Sequence, residues 1–259
     1  MTADNAWFIR PPSLRAARSF RLYCFAYAGG NASTFLDWQA LMPDSIEVCG
    51  VQLPGRGARF REAPIHLLSA LIRELAPAFS RTVDRRFAFF GHSLGGLIAF
   101  ELSRALAQLG AVLPTHLFLS GVHAPRFRDH ERNYHRLDDA GLAQVLRNYG
   151  ATPSEILDQP DLLALLLPTI RADFAMAETY RYRPGPRLSV PITALAGRDD
   201  ERRTLDQVDG WALETNAEFS TCWFDGGHFF LNPCRAEVID LVLSRLRNPS
   251  APMSVRHVS

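Results

Sequence analysis

Cysteine is scarce: Cys24, Cys49, Cys222 and Cys234 are the only four in 259 residues, scattered and without a C-x-x-C pair. That distribution favours buried free thiols over a disulfide framework or a metal site. An excess of one charge sign is also missing. The 28 Lys and Arg against 27 Asp and Glu leave a net charge of +1, which gives no electrostatic footprint for nucleic acid. No eighteen-residue apolar run is present, so no membrane span is expected. The opening Met1-Thr-Ala-Asp-Asn-Ala lacks the basic-then-apolar pattern of a signal peptide, and the expected location is the cytoplasm. Neither G-x-G-x-x-G nor G-x-x-x-x-G-K-[ST] occurs, so no dinucleotide or nucleotide phosphate cradle is expected. What remains is 47% hydrophobic and 21% charged, enough to bury the core of one α/β domain, with or without an insertion.

Apolar strand-like runs alternate with helical periodicity, the pattern of a mostly parallel sheet covered on both faces. Strands are predicted at Phe20–Phe25, Ile46–Leu53, Arg86–Phe90, Thr115–Ser120, Pro191–Ala196 and Phe219–Phe224. Helices are predicted at Ser33–Leu41, Pro64–Phe79, Gly96–Leu109, Leu205–Thr215 and Arg235–Leu246. Trp211, Val238, Leu241 and Val242 are expected to face the core. The alternation stops between Gly121 and Pro191, where helical runs at Leu137–Tyr149, Ser154–Leu157 and Asp161–Tyr180 follow one another without a strand. This reads as an insertion over the sheet edge. Its Leu162–Leu167 run is apolar nearly all round, which suits a helix buried in a subdomain or a lid lining an acyl pocket. The tail after Asn248 is unpatterned and expected to fray.

The chemistry is concentrated at Phe89-Phe-Gly-His-Ser-Leu-Gly-Gly96. An apolar strand delivers a G-x-S-x-G pentad to the start of a helix, the context in which Ser93 becomes an exposed nucleophile on a tight turn. Gly91 and Gly95 let that turn close. A nucleophilic serine needs a base, and the base needs an orienting acid. Of the eight histidines, His228 follows the last predicted strand in Asp225-Gly-Gly-His-Phe-Phe, on the edge that carries Ser93. His92 is expected to pack within the turn, His116 lies in a strand, and His123, His130 and His135 lie in the insertion. After the strand ending at Ala196 come three carboxylates, Asp199, Asp200 and Glu201, on the same edge and in the chain order Ser, acid, His.

These motifs resemble those of type II thioesterases, the free-standing editing enzymes of polyketide and nonribosomal peptide synthases. The resemblance runs over residues 18–247 and rests on Cys24-Phe-Ala-Tyr-Ala-Gly-Gly30, Gln52-Leu-Pro-Gly-Arg-Gly57, Gly91-His-Ser-Leu-Gly-Gly96, Gly197-x-x-Asp200 and Gly226-Gly-His-Phe-Phe230. Ala26 departs from the family's usual proline. The resemblance implies an α/β-hydrolase fold: residues 1–122 and 184–259 form the core, and residues 123–183 a helical lid insertion. It selects Asp200 over Asp199 as the acid and His228 as the base.

Acyl transfer also calls for backbone N–H groups around the developing oxyanion. Leu94, after the nucleophile, is one expected donor, and Ala28 or Tyr27, beside the Gly29-Gly30 pair, is the other. The resemblance implies a substrate held on the phosphopantetheine arm of an acyl or peptidyl carrier protein, with no metal or redox cofactor. Arg56, Arg59 and Arg61 form either a basic loop that meets an acidic carrier or an ordinary solvated loop, with Glu62 weakening the local field. Arg126, Arg128 and Arg132 are interspersed with Asp129 and Glu131 and make no basic patch. Leu163 and Leu166 are expected to line or support an acyl pocket. Open alternatives are a fatty-acid-synthase chain-terminating thioesterase, an oxygen-ester hydrolase, and a noncatalytic synthase-docking protein.

Overall fold

The computed structural model describes residues 6–11, 18–127, 132–150, 152, 154–200 and 204–247. The expectations for Arg128, Asp129, His130, Glu131, Glu201 and the tail after Asn248 lie outside them. Within the described residues the chain forms one seven-stranded sheet: β1 (Phe8–Ile9), β2 (Phe20–Phe25), β3 (Ile46–Val51), β4 (Arg86–His92), β5 (Leu117–Ser120), β6 (Ile192–Gly197) and β7 (Phe219–Phe224). Their spatial order is β1-β3-β2-β4-β5-β6-β7. All neighbours are parallel except β1 and β3, where Phe8 pairs with Val51 antiparallel. β1 is absent from the sequence reading because two residues carry no detectable alternation.

The long helices are α1 (Leu68–Thr82), α2 (Leu94–Gln108), α3 (Asp139–Tyr149), α5 (Pro160–Thr179) and α7 (Arg235–Arg247), with short α4 (Ser154–Leu157) and α6 (Leu205–Asp209). Three predicted helices differ from the structure by more than two residues or in type. Residues Ala32–Leu41 wind as 3-10 helix rather than α-helix. The helix predicted from Leu205 to Thr215 is α6 followed by a 3-10 stretch, Gly210–Glu214. The helix predicted from Pro64 begins at Leu68.

Strand β4 shows why a parallel sheet produces apolar runs rather than alternation. Phe87 and Phe89 enter the core on one face, with α1 and α2, while Ala88 and Phe90 enter the opposite core, with Phe35, Trp38 and α7 residues Val238 and Val242. On the first face Phe89 makes edge contacts with Phe25 at 5.2 Å and Phe79 at 5.2 Å between ring centroids. Cys24 and Cys49 are buried, Cys222 and Cys234 half-buried, and all four are free thiols. Burial pushes the Cys49 thiol up to about 12, so the thiolate needed for reactivity does not form near neutrality.

The insertion explains its own composition. On α5, Leu163, Leu166, Leu167, Ile170 and Phe174 fall on one helical face and pack with Leu142 and Leu146 of α3 and Leu157 of α4. Residues Thr169, Asp173 and Met176 fall on another face, and Met176 joins the main core. A helix buried on two faces needs apolar residues around most of its circumference, and only Leu165 among these leucines is largely exposed, at 56%.

Order in the sheet also locates the chemistry. The strand sequence reverses direction at β2, which has β3 on one side and β4 on the other. Ligands in such sheets bind beyond the carboxyl ends of the strands at this reversal. Phe25 pairs with Gly91, so the loops after β2 and β4 emerge side by side.

Removing the Phe89 ring should lower unfolding free energy by about 3–5 kcal/mol. Urea denaturation of Phe89→Ala checks this, against Leu165→Ala, which should stay within about 0.5 kcal/mol of the parent.

Candidate active site

Ser93 joins β4 to α2 at φ 55°, ψ −115°, and is the only non-glycine residue with positive φ among the described residues. Its N–H donates to Ser120 C=O at 2.8 Å, holding the turn to β5. Although serine is a favoured N-cap, the Ser93 hydroxyl makes no capping bond to α2, which leaves Oγ for other work. The turn requires glycine on both sides. A Cβ on Gly91 would stand 2.2 Å from the Gly95 oxygen, and one on Gly95 would stand 2.0 Å from the Phe25 oxygen.

His228 and Asp200 come from loops after β7 and β6 that are also pressed together. A Cβ on Gly197 would lie 2.3 Å from the Gly227 oxygen, and Asp199 N–H donates to Gly226 C=O at 3.0 Å. The sequence spacing Gly197-x-x-Asp200 thus has a steric cause. Asp200 and His228 are both buried, with Asp200 Oδ2 2.7 Å from His228 Nδ1. Asp199, its neighbour, is exposed. The His228 ring lies 5.1 Å from that of His92, the residue preceding Ser93.

His92 packs inside the turn, as expected, with Nδ1 2.9 Å from Ser120 Oγ. His116 is bound through Nε2 to Thr193 Oγ1 at 2.8 Å, and burial, aided by Arg245, pushes its pKa down to about 4. It is spent on packing. His135 pairs with Glu178 within the insertion.

The segments expected to donate to an oxyanion are the start of α2 and the turn after β2. The Leu94 amide opens α2, where N–H groups lack intrahelical partners and attract negative charge. Residues Tyr27–Gly30 form a turn closed by Gly30 N–H to Tyr27 C=O at 2.9 Å, with Gly29 at φ 79°, the conformation a type II turn requires at its third residue. Because a trans peptide holds C=O and N–H in opposite directions, the same bond directs the Ala28 N–H. Between the two oxyanion candidates, this favours Ala28 over Tyr27.

The arginine expectation is corrected. Arg56 and Arg59 are buried and their charges face inward. Arg56 forms two 2.7 Å bonds to the buried Asp173 of α5. Arg59 stacks on Trp7 at 3.9 Å from the ring centroid and pairs with Glu62. Only Arg61 of the three is exposed. A guanidinium left unpaired in the interior would be costly, whereas a solvated one gains little from a partner. Sequence reasoning missed Asp173 because 117 residues separate it from Arg56 and no local motif marks it. It also missed Tyr149, at the end of α3, whose ring stands edge-on to His228 at 5.9 Å. Leu163 and Leu166 pack against the same cluster as Tyr149. Among the described residues no group of three or more His, Cys, Asp or Glu is placed to hold a metal ion, and no helix is long and apolar enough to cross a membrane.

A strained serine turn at a sheet reversal, next to a carboxylate-held imidazole, places the molecule among the serine hydrolases of α/β-hydrolase fold. Similarity to known proteins narrows the class: a thioesterase-domain family model matches residues 20–246, and the chain belongs to the thioesterase family. It is 39% identical over 248 residues to the gramicidin S biosynthesis protein GrsT of Aneurinibacillus migulanus, covering 96% of each chain. The solved type II thioesterase BorB, from the borrelidin biosynthetic cluster, superposes with a TM-score of 0.86 at 34% identity, covering 95% of this chain and all of BorB. RedJ, a thioesterase from the prodiginine pathway of Streptomyces coelicolor, gives 0.82 at 37% identity, covering 93% and 92%. The resemblance read from the motifs therefore holds across the fold.

If Asp200 is the acid that orients His228, Asp200→Asn should lower turnover by ~10⁴-fold, while the exposed Asp199→Asn stays near the parent. Steady-state hydrolysis of an acyl-pantetheine thioester by both variants checks the assignment; equal losses would overturn it.

Proposed function

We propose that this thioesterase removes aberrant or stalled acyl, aminoacyl or peptidyl groups from the phosphopantetheine arm of carrier proteins in a nonribosomal peptide or polyketide synthase. The observation that carries the reading is the strained, uncapped Ser93 turn, whose preceding residue His92 lies 5.1 Å ring to ring from the His228 of the His228–Asp200 pair, in a chain that matches GrsT over nearly its whole length.

In this reading His228 accepts the Ser93 proton as Oγ attacks the thioester carbon, and Asp200 holds the imidazole in the useful tautomer. The Leu94 and Ala28 amides receive the charge that gathers on the carbonyl oxygen. The C–S bond then breaks, the departing pantetheine sulfur takes the proton from His228 as a thiol, and an acyl-Ser93 ester remains. Water, giving its proton to His228, attacks that ester and releases the carboxylic acid and the free serine. Thiolate is a good leaving group, so the first step needs little acid assistance, and this sequence calls on no metal or redox cofactor.

The insertion, residues 123–183, is proposed as the acyl-side wall and lid. Tyr149 bridges it to His228, and Tyr134 and Phe174 stand behind Tyr149 at 6.4 and 5.9 Å. An acyl chain approaching Ser93 from this side would meet aromatic edges. The carrier protein would approach past the loop after β3, where Arg61 rather than Arg56 or Arg59 offers charge.

Hydrolysis of acyl-pantetheine and acyl-carrier-protein thioesters, compared with a matched oxygen ester, tests the proposal. Thioesters should be preferred, the carrier-bound form should be the better substrate, and Ser93→Ala should lose ~10⁶-fold in turnover while folding as the parent does. Preference for the oxygen ester, or parental turnover by Ser93→Ala, would refute it.

A further inference from the structure

The Arg56–Asp173 pair ends on the backbone of the turn that carries the Ala28 amide. Asp173 is fully buried. Its Oδ1 accepts from Arg56 Nη2 at 2.7 Å, and its Oδ2 accepts from Arg56 Nη1 at 2.7 Å and from Gly29 N–H at 2.8 Å. Arg56 Nη1 also donates to Gly30 C=O at 2.9 Å. The pair therefore grips one N–H and one C=O on either side of the Gly29–Gly30 bond.

We propose that Asp173 and Arg56 are positioning residues for the oxyanion turn, so that α5 of the insertion fixes where the Ala28 N–H points. This rests on the reading of Ala28 as an oxyanion donor. Two peptide planes decide that direction: the Tyr27–Ala28 plane, held by Gly30 N–H, and the Ala28–Gly29 plane, held by Asp173. Asp173 thus restrains the plane that the Gly30 N–H bond does not itself hold.

Close packing by α5 around Asp173 supports the assignment independently. Thr169 Oγ1 donates to Gly55 C=O at 2.8 Å, one turn before Asp173. Ile170 Cγ1 would lie 3.1 Å from a Cβ on Gly29, and Thr169 Oγ1 2.9 Å from one on Gly55. Helix and turn meet backbone to side chain, without room for an intervening residue. A misplacement of about 1 Å in such a donor costs up to ~10²-fold in rate.

The test separates placement from bulk stability. Asp173→Asn, Arg56→Met and the double variant Arg56→Met/Asp173→Leu are compared with Asp139→Asn, which breaks an exposed pair to Arg171 on the same helix. Each single variant at the buried pair leaves the other partner uncompensated, whereas the double variant removes both charges and should recover thermal stability. Turnover should fall ~10–100-fold in all three, with KM within about twofold, and affinity for a trifluoromethyl ketone that forms an oxyanion should fall in the same ratio. Asp139→Asn should match the parent. Turnover that recovers together with Tm in the double variant, or a loss carried by KM, would overturn the proposal. Amide exchange at Gly29 reads the turn without catalysis: it should accelerate in Asp173→Asn, and unchanged exchange would also overturn the proposal. Failure of the parent to cleave thioesters would instead refute the proposed function, with the exchange measurement still deciding the role of the pair.

Discussion

Helix α2 approaches the ends of β2 and β4 so closely that side chains are excluded from the contact. With the Gly95 Cα backed onto the Phe25 carbonyl and Gly91 onto Gly95, the chain must pass from strand to helix within one residue. Ser93 takes the whole reversal, in a conformation that costs about 1–3 kcal/mol for a residue with a side chain. The cost is borne because the surroundings leave no alternative: β4 is buried on both faces, and α2 buries Leu97, Ile98, Phe100, Leu102 and Leu106. The same approach brings the first amides of α2 beside the turn after β2. In the proposed mechanism, the placement of the nucleophile and of the oxyanion donors would thus both follow from one packing constraint.

A second close approach, of Gly197 to the loop Gly226–Gly227, does for the histidine and its acid what the first does for the serine. Neither site depends on long side chains reaching across solvent. Short loops at the carboxyl ends of parallel strands carry Ser93, Asp200 and His228, and glycine marks the points where their backbones touch. The insertion adds a third element by presenting two faces of α5 to two different parts of the molecule, one to the α3–α4 cluster and one to the loops of the core.

Buried ionic groups in this protein sit where segments distant in sequence meet. Arg21 on β2 pairs with Glu47 on β3 at 2.5 Å and bonds Tyr23 at 2.9 Å; Arg56 pairs with Asp173 across 117 residues. Desolvation offsets most of the attraction within such pairs, and apolar replacements of both partners are often as stable. Their effect lies in the geometry they demand, since a bidentate guanidinium–carboxylate contact fixes both distance and plane.

The sequence by itself determined the parallel sheet, because strands buried on both faces must be apolar throughout, and it determined the serine turn, because its glycines are contiguous with the nucleophile. It also placed His228 and a carboxylate on the same sheet edge as Ser93 through chain order. Choosing Asp200 over Asp199 required the motif resemblance, and the structure shows the difference as burial against exposure. The two-residue β1 was illegible because it is too short to show a period. The orientation of Arg56 and Arg59, the partnership of Asp173, and the position of Tyr149 over His228 were decided by tertiary structure alone. A guanidinium reads identically in a sequence whether it faces water or a carboxylate more than a hundred residues away, and only the packing of α5 against the loops of the core makes that carboxylate its neighbour.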